Sequence, residues 1–157
     1  MKFKRNTSTR VKTGASNKHI QSALENRFVL KQALRQAAKI APKFKGRTQK
    51  ETAENVWRYL RNEITYQADD VSNQNIKLPF RLMSDRVGDC KSFSLFAWAV
   101  LTSLGISTDY VYTSYNYSST PSHIYVETMN GIVVDGVYQN FNAEKAYTHK
   151  RKKRIRL

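Results

Sequence analysis

Three residues of this chain have the types needed to act together as nucleophile, general base and orienter: Cys90, the single cysteine, with His123 and Asp135. A thiolate is a strong nucleophile, an imidazole can take and return the proton, and a carboxylate can hold the imidazole in one orientation. Cys90 stands in Val87-Gly-Asp-Cys-Lys-Ser-Phe-Ser-Leu-Phe96, at the expected start of a helix. Unpaired N–H groups and the helix dipole favour negative charge there, and the neighbouring Lys91 is expected to add in the same direction. Each residue also has a plain reading. A lone cysteine is commonly a small buried side chain, a lone histidine a surface residue, and Asp135 an ordinary turn acid.

Whether His123 and Asp135 can meet depends on one turn. His123–Thr128 and Ile132–Asp135 read as two strands of a hairpin around Asn130-Gly131. A two-residue turn sets Asp135 opposite Val126, on the face away from His123. A three-residue loop, Met129-Asn130-Gly131 with glycine in a left-handed bulge, sets Asp135 opposite Tyr125 and diagonal to His123 on the same face. Diagonal neighbours lie about 7 Å apart at the backbone, within side-chain reach. The triad therefore requires the bulged loop.

The elements that must position these residues are legible from periodicity. Residues 1–16 lack it and read as an extended or disordered arm. Ser16 or Asn17 can cap a helix running to about Ile40, with Pro42 and Gly46 after it. Thr48 and Glu51 form a capping box that opens a second helix to about Tyr66. Residues 67–86 read as a long polar loop containing Pro79. A third helix from Cys90 to Leu104, apolar nearly all round and stopped at Gly105, is the expected buried centre. The period then changes to two, with strands at Thr108–Tyr117, His123–Thr128 and Ile132–Asp135. Helices followed by an antiparallel sheet make an α+β domain. The expected division is a basic arm over 1–17, a basic amphipathic helix over 18–46, a core over 47–148 and a basic tail over 149–157.

Charge is the strongest compositional signal. The net charge of +15 is unevenly spread. Residues 1–50 hold fourteen Lys or Arg and one acid, residues 51–148 seven against eleven, and residues 149–157 six with none. Arg27, Lys31, Arg35 and Lys39 recur every four residues, a continuous stripe on one helix face. With Lys150, Arg151, Lys152, Lys153 and Arg154 they are the candidates for meeting nucleic acid or an anionic membrane surface. No base-reading motif accompanies them, and Tyr110, Tyr112, Tyr115 and Tyr117 read as sheet residues before stacking ones. The longest apolar run, Leu95–Leu101, is too short to span a bilayer, and the basic, polar N-terminus lacks an apolar signal segment. Cytosol is the default expectation. No cofactor motif or metal-ligand spacing is expected.

In chain order, Trp57-Arg-Tyr-Leu-Arg-Asn-Glu-Ile-Thr-Tyr66, Gly88-Asp-Cys90 ahead of the helix ending Leu104-Gly105-Ile106, His123-Ile-Tyr-Val-Glu127 and Val134-Asp135 resemble the transglutaminase-like superfamily. That is the papain-fold group with many microbial cysteine peptidases, and the likeness covers about residues 52–142. The resemblance implies a papain-like core in which a central buried helix packs on a small antiparallel sheet after two helices. It also implies Cys90 as nucleophile, His123 as base and Asp135 as orienter. The Cys90 backbone N–H is the first oxyanion donor to expect; for a second, only Gln67 and Tyr66 offer themselves. The chain departs from the family at Tyr125, where tryptophan is usual, at Gly136, where proline is, and at Lys91-Ser92, where acids often follow the cysteine. Gly88-Asp89-Cys90-Lys91 also differs from the Gly-Gln-Cys-Trp of the animal crosslinking branch.

The implied function is a thiol hydrolase that cleaves amide bonds in a protein or peptidoglycan peptide through a thioester. Two alternatives stand beside it. One is a catalytically silent papain-like structural protein, such as a viral particle component, whose basic arms bind nucleic acid or a membrane surface. The other is protein transamidation. Short members of the group also look like products of bacterial viruses, so virion association is a further expectation.

Overall fold

A computed structural model describes residues 8–10, 17–70 and 72–157. Strand β1 is Ser8–Arg10; the rest of the expected arm, with Ser16, lies outside the described residues. The single helix expected up to Ile40 is two, α1 (Asn17–Leu24) and α2 (Arg27–Ile40). The break is chemical. The Asn26 side chain accepts hydrogen bonds from the N–H groups of Phe28 and Val29 at 2.9 and 3.2 Å, which caps α2 and holds Asn26 extended. Val29, Leu30, Ala33, Ala37 and Ile40 face the core, and Arg27, Lys31, Arg35 and Lys39 are exposed. A 3-10 turn over Ala41–Phe44, with Pro42 inside, leads to α3 (Gln49–Glu63), capped by Thr48 as the sequence predicts.

The 67–86 segment, expected as loop, holds structure at both ends. Strand β2 (Thr65–Tyr66) runs parallel to β4 (Val87–Gly88), which brings the two ends of the segment together. Between them β3 (Asn75–Lys77) pairs antiparallel with β1, and α4 (Pro79–Asp85) starts on Pro79, a residue whose missing N–H costs nothing at that position. A three-residue strand and a two-turn helix are too short to show a hydrophobic period. What holds them is the burial of Ile76, Leu78 and Leu82.

Helix α5 (Cys90–Ser103) is the centre of the molecule, its residues buried from Lys91 to Leu101. Phe96 stacks on Tyr59 of α3, and Trp98 leans on Tyr110 of the sheet. The sheet comprises β5 (Thr108–Ser114), β6 (His123–Thr128), β7 (Val133–Val134) and β8 (His149–Arg154), in the order β7-β6-β5-β8, all antiparallel. Within the basic tail expected over 149–157, His149–Arg154 form strand β8 and pair with Asp109–Ser114 of β5. On one face of β8 each cation meets an acid: Lys150 with Glu144, Lys152 with Glu127, and Arg154 with Asp109. On the other face Arg151 lies over the Tyr112 ring and bonds Gln21 of α1.

Candidate active site

Cys90 is the first residue of α5. Asp89 caps that helix, its Oδ1 accepting from the Lys91 N–H at 3.1 Å. Ser94, one turn on, donates to the carbonyls of Cys90 and of Ile124 in β6, at 2.7 and 3.1 Å. This hydroxyl ties the start of α5 to the strand that carries His123.

The hairpin takes the bulged form. Thr128 and Ile132 close a Met129-Asn130-Gly131 loop, the Thr128 N–H donating to the Ile132 carbonyl at 2.9 Å, and Gly131 is left-handed at φ 81°. Val126 pairs with Val134 and Glu127 with Val133, so continuing the register sets Asp135 across from Tyr125. His123 Nε2 and Asp135 Oδ2 are 2.7 Å apart, which leaves Nδ1 as the nitrogen free to serve the thiol. The Asp135 carboxylate is buried, and its Oδ1 accepts from the Val137 N–H at 3.0 Å. Its carbonyl accepts from Trp57 Nε1 at 3.1 Å, so α3 fixes the turn from behind. Gly136 is required by closeness: a Cβ there would stand 2.8 Å from the Phe93 ring and 2.9 Å from Leu60 Cβ. Proline, usual after this aspartate in the resembling family, would meet the same wall.

Cys90 and His123 line the same cleft. Burial works against a charged imidazole, but the hydrogen bonds and charges of Asp135 and Cys90 outweigh it and push His123 up to about 9. Tyr66 is raised too, by burial first and then by the negative charges of Cys90, Asp89 and Asp135.

Two residues stand differently from their expected places. Lys91 directs its ammonium to acids: its side chain is buried and paired with Asp89 and with Asp69, the latter at 3.5 Å. Gln67 does not line the Cys90 cleft. Its backbone N–H is held by the Gly88 carbonyl at 2.8 Å, and the residue lines a second hollow with Asn73 and Asn75. Tyr66, the other residue considered for the oxyanion, does line the cleft.

The cleft is a cavity of about 260 Å³ in front of Cys90 and His123. Ile20, Gln21 and Leu24 of α1 form one wall, Tyr66, Ala68, Asp69 and Gln74 another, and Pro121–Ile124 a third. Beyond the imidazole lies a hollow of about 370 Å³ between Tyr115, Tyr138 and Lys145. Nothing in the sequence marked α1 as cleft wall, because its apolar face reads like any core-facing stripe. Among the described residues no group of three His, Cys, Asp or Glu side chains could hold a metal ion.

The sequence model of the transglutaminase-like superfamily matches residues 38–146. This chain belongs to the transglutaminase-like superfamily. The match holds all of the Cys90, His123 and Asp135 geometry, whereas α1, most of α2 and β8 lie outside it. Solved structures agree on the fold. A protein from Parabacteroides distasonis, described provisionally as a protease, superimposes with TM-score 0.57 at 13% identity over 72% of this chain and 24% of its own. LapG of Legionella pneumophila, calcium-bound, gives 0.52 at 16% identity over 81% of this chain and 76% of its own. A protein from Cytophaga hutchinsonii, described provisionally as a cysteine protease, gives 0.50 at 18% identity over 66% and 37%. The superimposed region is thus well under half the length of the Cytophaga and Parabacteroides proteins. None of the curated proteins compared with the chain matches it. A papain-like α+β body with a transglutaminase-like core is therefore the fold, and the superfamily relation supports a thiol-hydrolase type of chemistry.

Proposed function

We propose that this member of the superfamily is a thiol hydrolase that cleaves an amide bond in a protein or peptide. The observation that carries the reading is His123, bonded through Nε2 to Asp135 at 2.7 Å and lining the same cleft as Cys90 at the start of α5. In the first half-reaction Cys90 Sγ attacks the carbonyl carbon and the carbonyl electrons move onto oxygen, where the Cys90 backbone N–H is the donor at hand. The tetrahedral species collapses, the carbon–nitrogen bond breaks, and the His123 proton leaves with the amine. Water then attacks the thioester while His123 takes its proton, releasing a carboxylic acid and the thiol. Asp135, buried behind the ring, holds its orientation and favours its charged form. An amine in place of water would give transamidation by the same steps.

Intact-mass kinetics with iodoacetamide test this directly. At pH 6.5 the wild-type thiol should alkylate at least about tenfold faster than that of a His123→Ala variant, since the thiolate loses its counter-charge. In parallel, new N-termini appearing in a mixture of unfolded proteins and peptidoglycan peptides should vanish with Cys90→Ala. Hydroxylamine added during turnover should capture the thioester as a hydroxamate. A thiol that alkylates like free cysteine in both proteins, with no cleavage dependent on Cys90, sinks the proposal.

A second property is proposed from the surface. Arg27, Lys31, Arg35 and Lys39 are exposed on a helix that contains no acid, and successive members stand about 6 Å apart along it. This supports α2 as a face for a polyanion, compatible with an active or a silent body. Among the described residues no helix is long and apolar enough to cross a membrane.

A further inference from the structure

Lys91 is a charged side chain buried beside the nucleophile, with 5% of its side chain exposed. A lysine is almost never found so deep unless paired. Its ammonium contacts Asp89 Oδ2 and lies 3.5 Å from Asp69 Oδ2, and it is the only ion-pair partner of either carboxylate among the described residues. The carboxylates are themselves fixed. Asp89 takes the Lys91 N–H on Oδ1 and the Asp69 N–H, at 3.4 Å, on Oδ2; Asp69 Oδ2 takes the Asn75 N–H at 2.7 Å. All three side chains line the cleft that holds Cys90.

Asp89 has two consequences that pull in opposite directions. It caps α5, but it also sets a buried negative charge one residue from the group that must become a thiolate. Asp69 adds a second. Two anions in a site of low dielectric oppose a third. We infer that Lys91 is a positioning residue for the thiol, balancing Asp89 and Asp69 so that the capped helix can still present Cys90 as an anion. The inference rests on the thiol-hydrolase reading. The other titratable groups facing the cleft are His123, with Asp135 behind it, Tyr66 from β2 and Tyr112 from β5; α1 presents only the uncharged Ile20, Gln21 and Leu24.

The experiment is the pH profile of Cys90 alkylation, between pH 4 and 10, in four full-length proteins whose folding is checked by circular dichroism. Relative to wild type, Lys91→Met should move the midpoint up by about one pH unit and slow alkylation at pH 6.5 about tenfold. Lys91→Arg should hold it within a few tenths of a unit. Asp69→Asn, which removes an anion and leaves the cap, should move it down; a purely structural role predicts no shift or a shift with loss of fold. Superimposable profiles for wild type and folded Lys91→Met overturn the inference. If Lys91→Met does not fold, Asp69→Asn decides, and an unchanged or raised midpoint overturns it. The wild-type profile judges the hydrolase reading by itself, so the two failures are distinguishable.

Discussion

Burial alone would strip His123 of its proton, and its partners reverse that outcome. Asp135 and the Cys90 side chain hold the ring charged, so it titrates at about 9 folded against 6.5 for the free side chain. The sign follows. A group whose pKa is raised by folding contributes stability that is complete below about pH 6.5 and is lost as pH rises through about 9. For this shift the contribution is on the order of 3 kcal/mol at most. In Asp135→Asn the largest support for the charge is gone, so the thermal midpoint should decline much less between pH 6.5 and 9 than in wild type. Equal slopes in scanning calorimetry would contradict the assignment of that titration to His123. Turnover in wild type should fall above about pH 9, as the proton for the leaving amine disappears. The His123–Asp135 contact was legible in the sequence because a hairpin offers few registers and alternate side chains share a face, so only the Gly131 bulge could bring the two together. The pairing of Lys91 with Asp69 was not legible. Asp69 sits in a segment without period, and only the β2–β4 pairing folds it back onto α5.

At the scale of elements, the long helices and the hairpin announce themselves by period and by caps, whereas β8 hides. His149-Lys-Arg-Lys-Lys-Arg154 reads as a solvated tail because its partners are elsewhere: Glu144 in the preceding connection, Glu127 on β6 and Asp109 on β5. Alternation is present, but in charge pairing rather than hydropathy. The Asn26 break was missed for a related reason, since a cap inside an amphipathic stretch does not interrupt its apolar spacing. Strand β8 covers the flank of β5, whose residues are buried throughout. Removing residues 149–157 should therefore uncover that flank and the Tyr112 ring, beyond deleting charge. The expected cost is on the order of 3 kcal/mol or more in urea unfolding, most of it from the lost ladder and packing, because exposed ion pairs contribute little each. A truncated protein with an unchanged midpoint would show that β8 adds nothing to the stability of the fold.

For the whole molecule, the elements outside the superfamily match supply one wall of the site and the support behind it. Helix α1 walls the cleft, and β8 holds α1 in place through Arg151 and Gln21, while Tyr112 reaches Glu25 at 3.0 Å. The cleft of this chain thus has a wall that lies outside the superfamily match. The same elements carry much of the excess charge of +15, but not equivalently. Lys150, Lys152 and Arg154 are balanced locally by acids, whereas among the described residues no acid forms an ion pair with the α2 stripe. Counterion release makes the difference measurable, since each phosphate neutralised on duplex DNA adds about −0.9 to the slope of log K against log salt. Replacing Arg27, Lys31, Arg35 and Lys39 by glutamine should reduce the steepness by roughly 3 to 4. Replacing Lys150, Lys152 and Arg154 by glutamine should change it by less than about 1 per residue, because their charge is already spent on the sheet. Equal effects per residue would mean that only net charge counts and would remove α2 as a surface. Loss of affinity for anionic vesicles with no change on DNA would assign the stripe to a membrane interface instead.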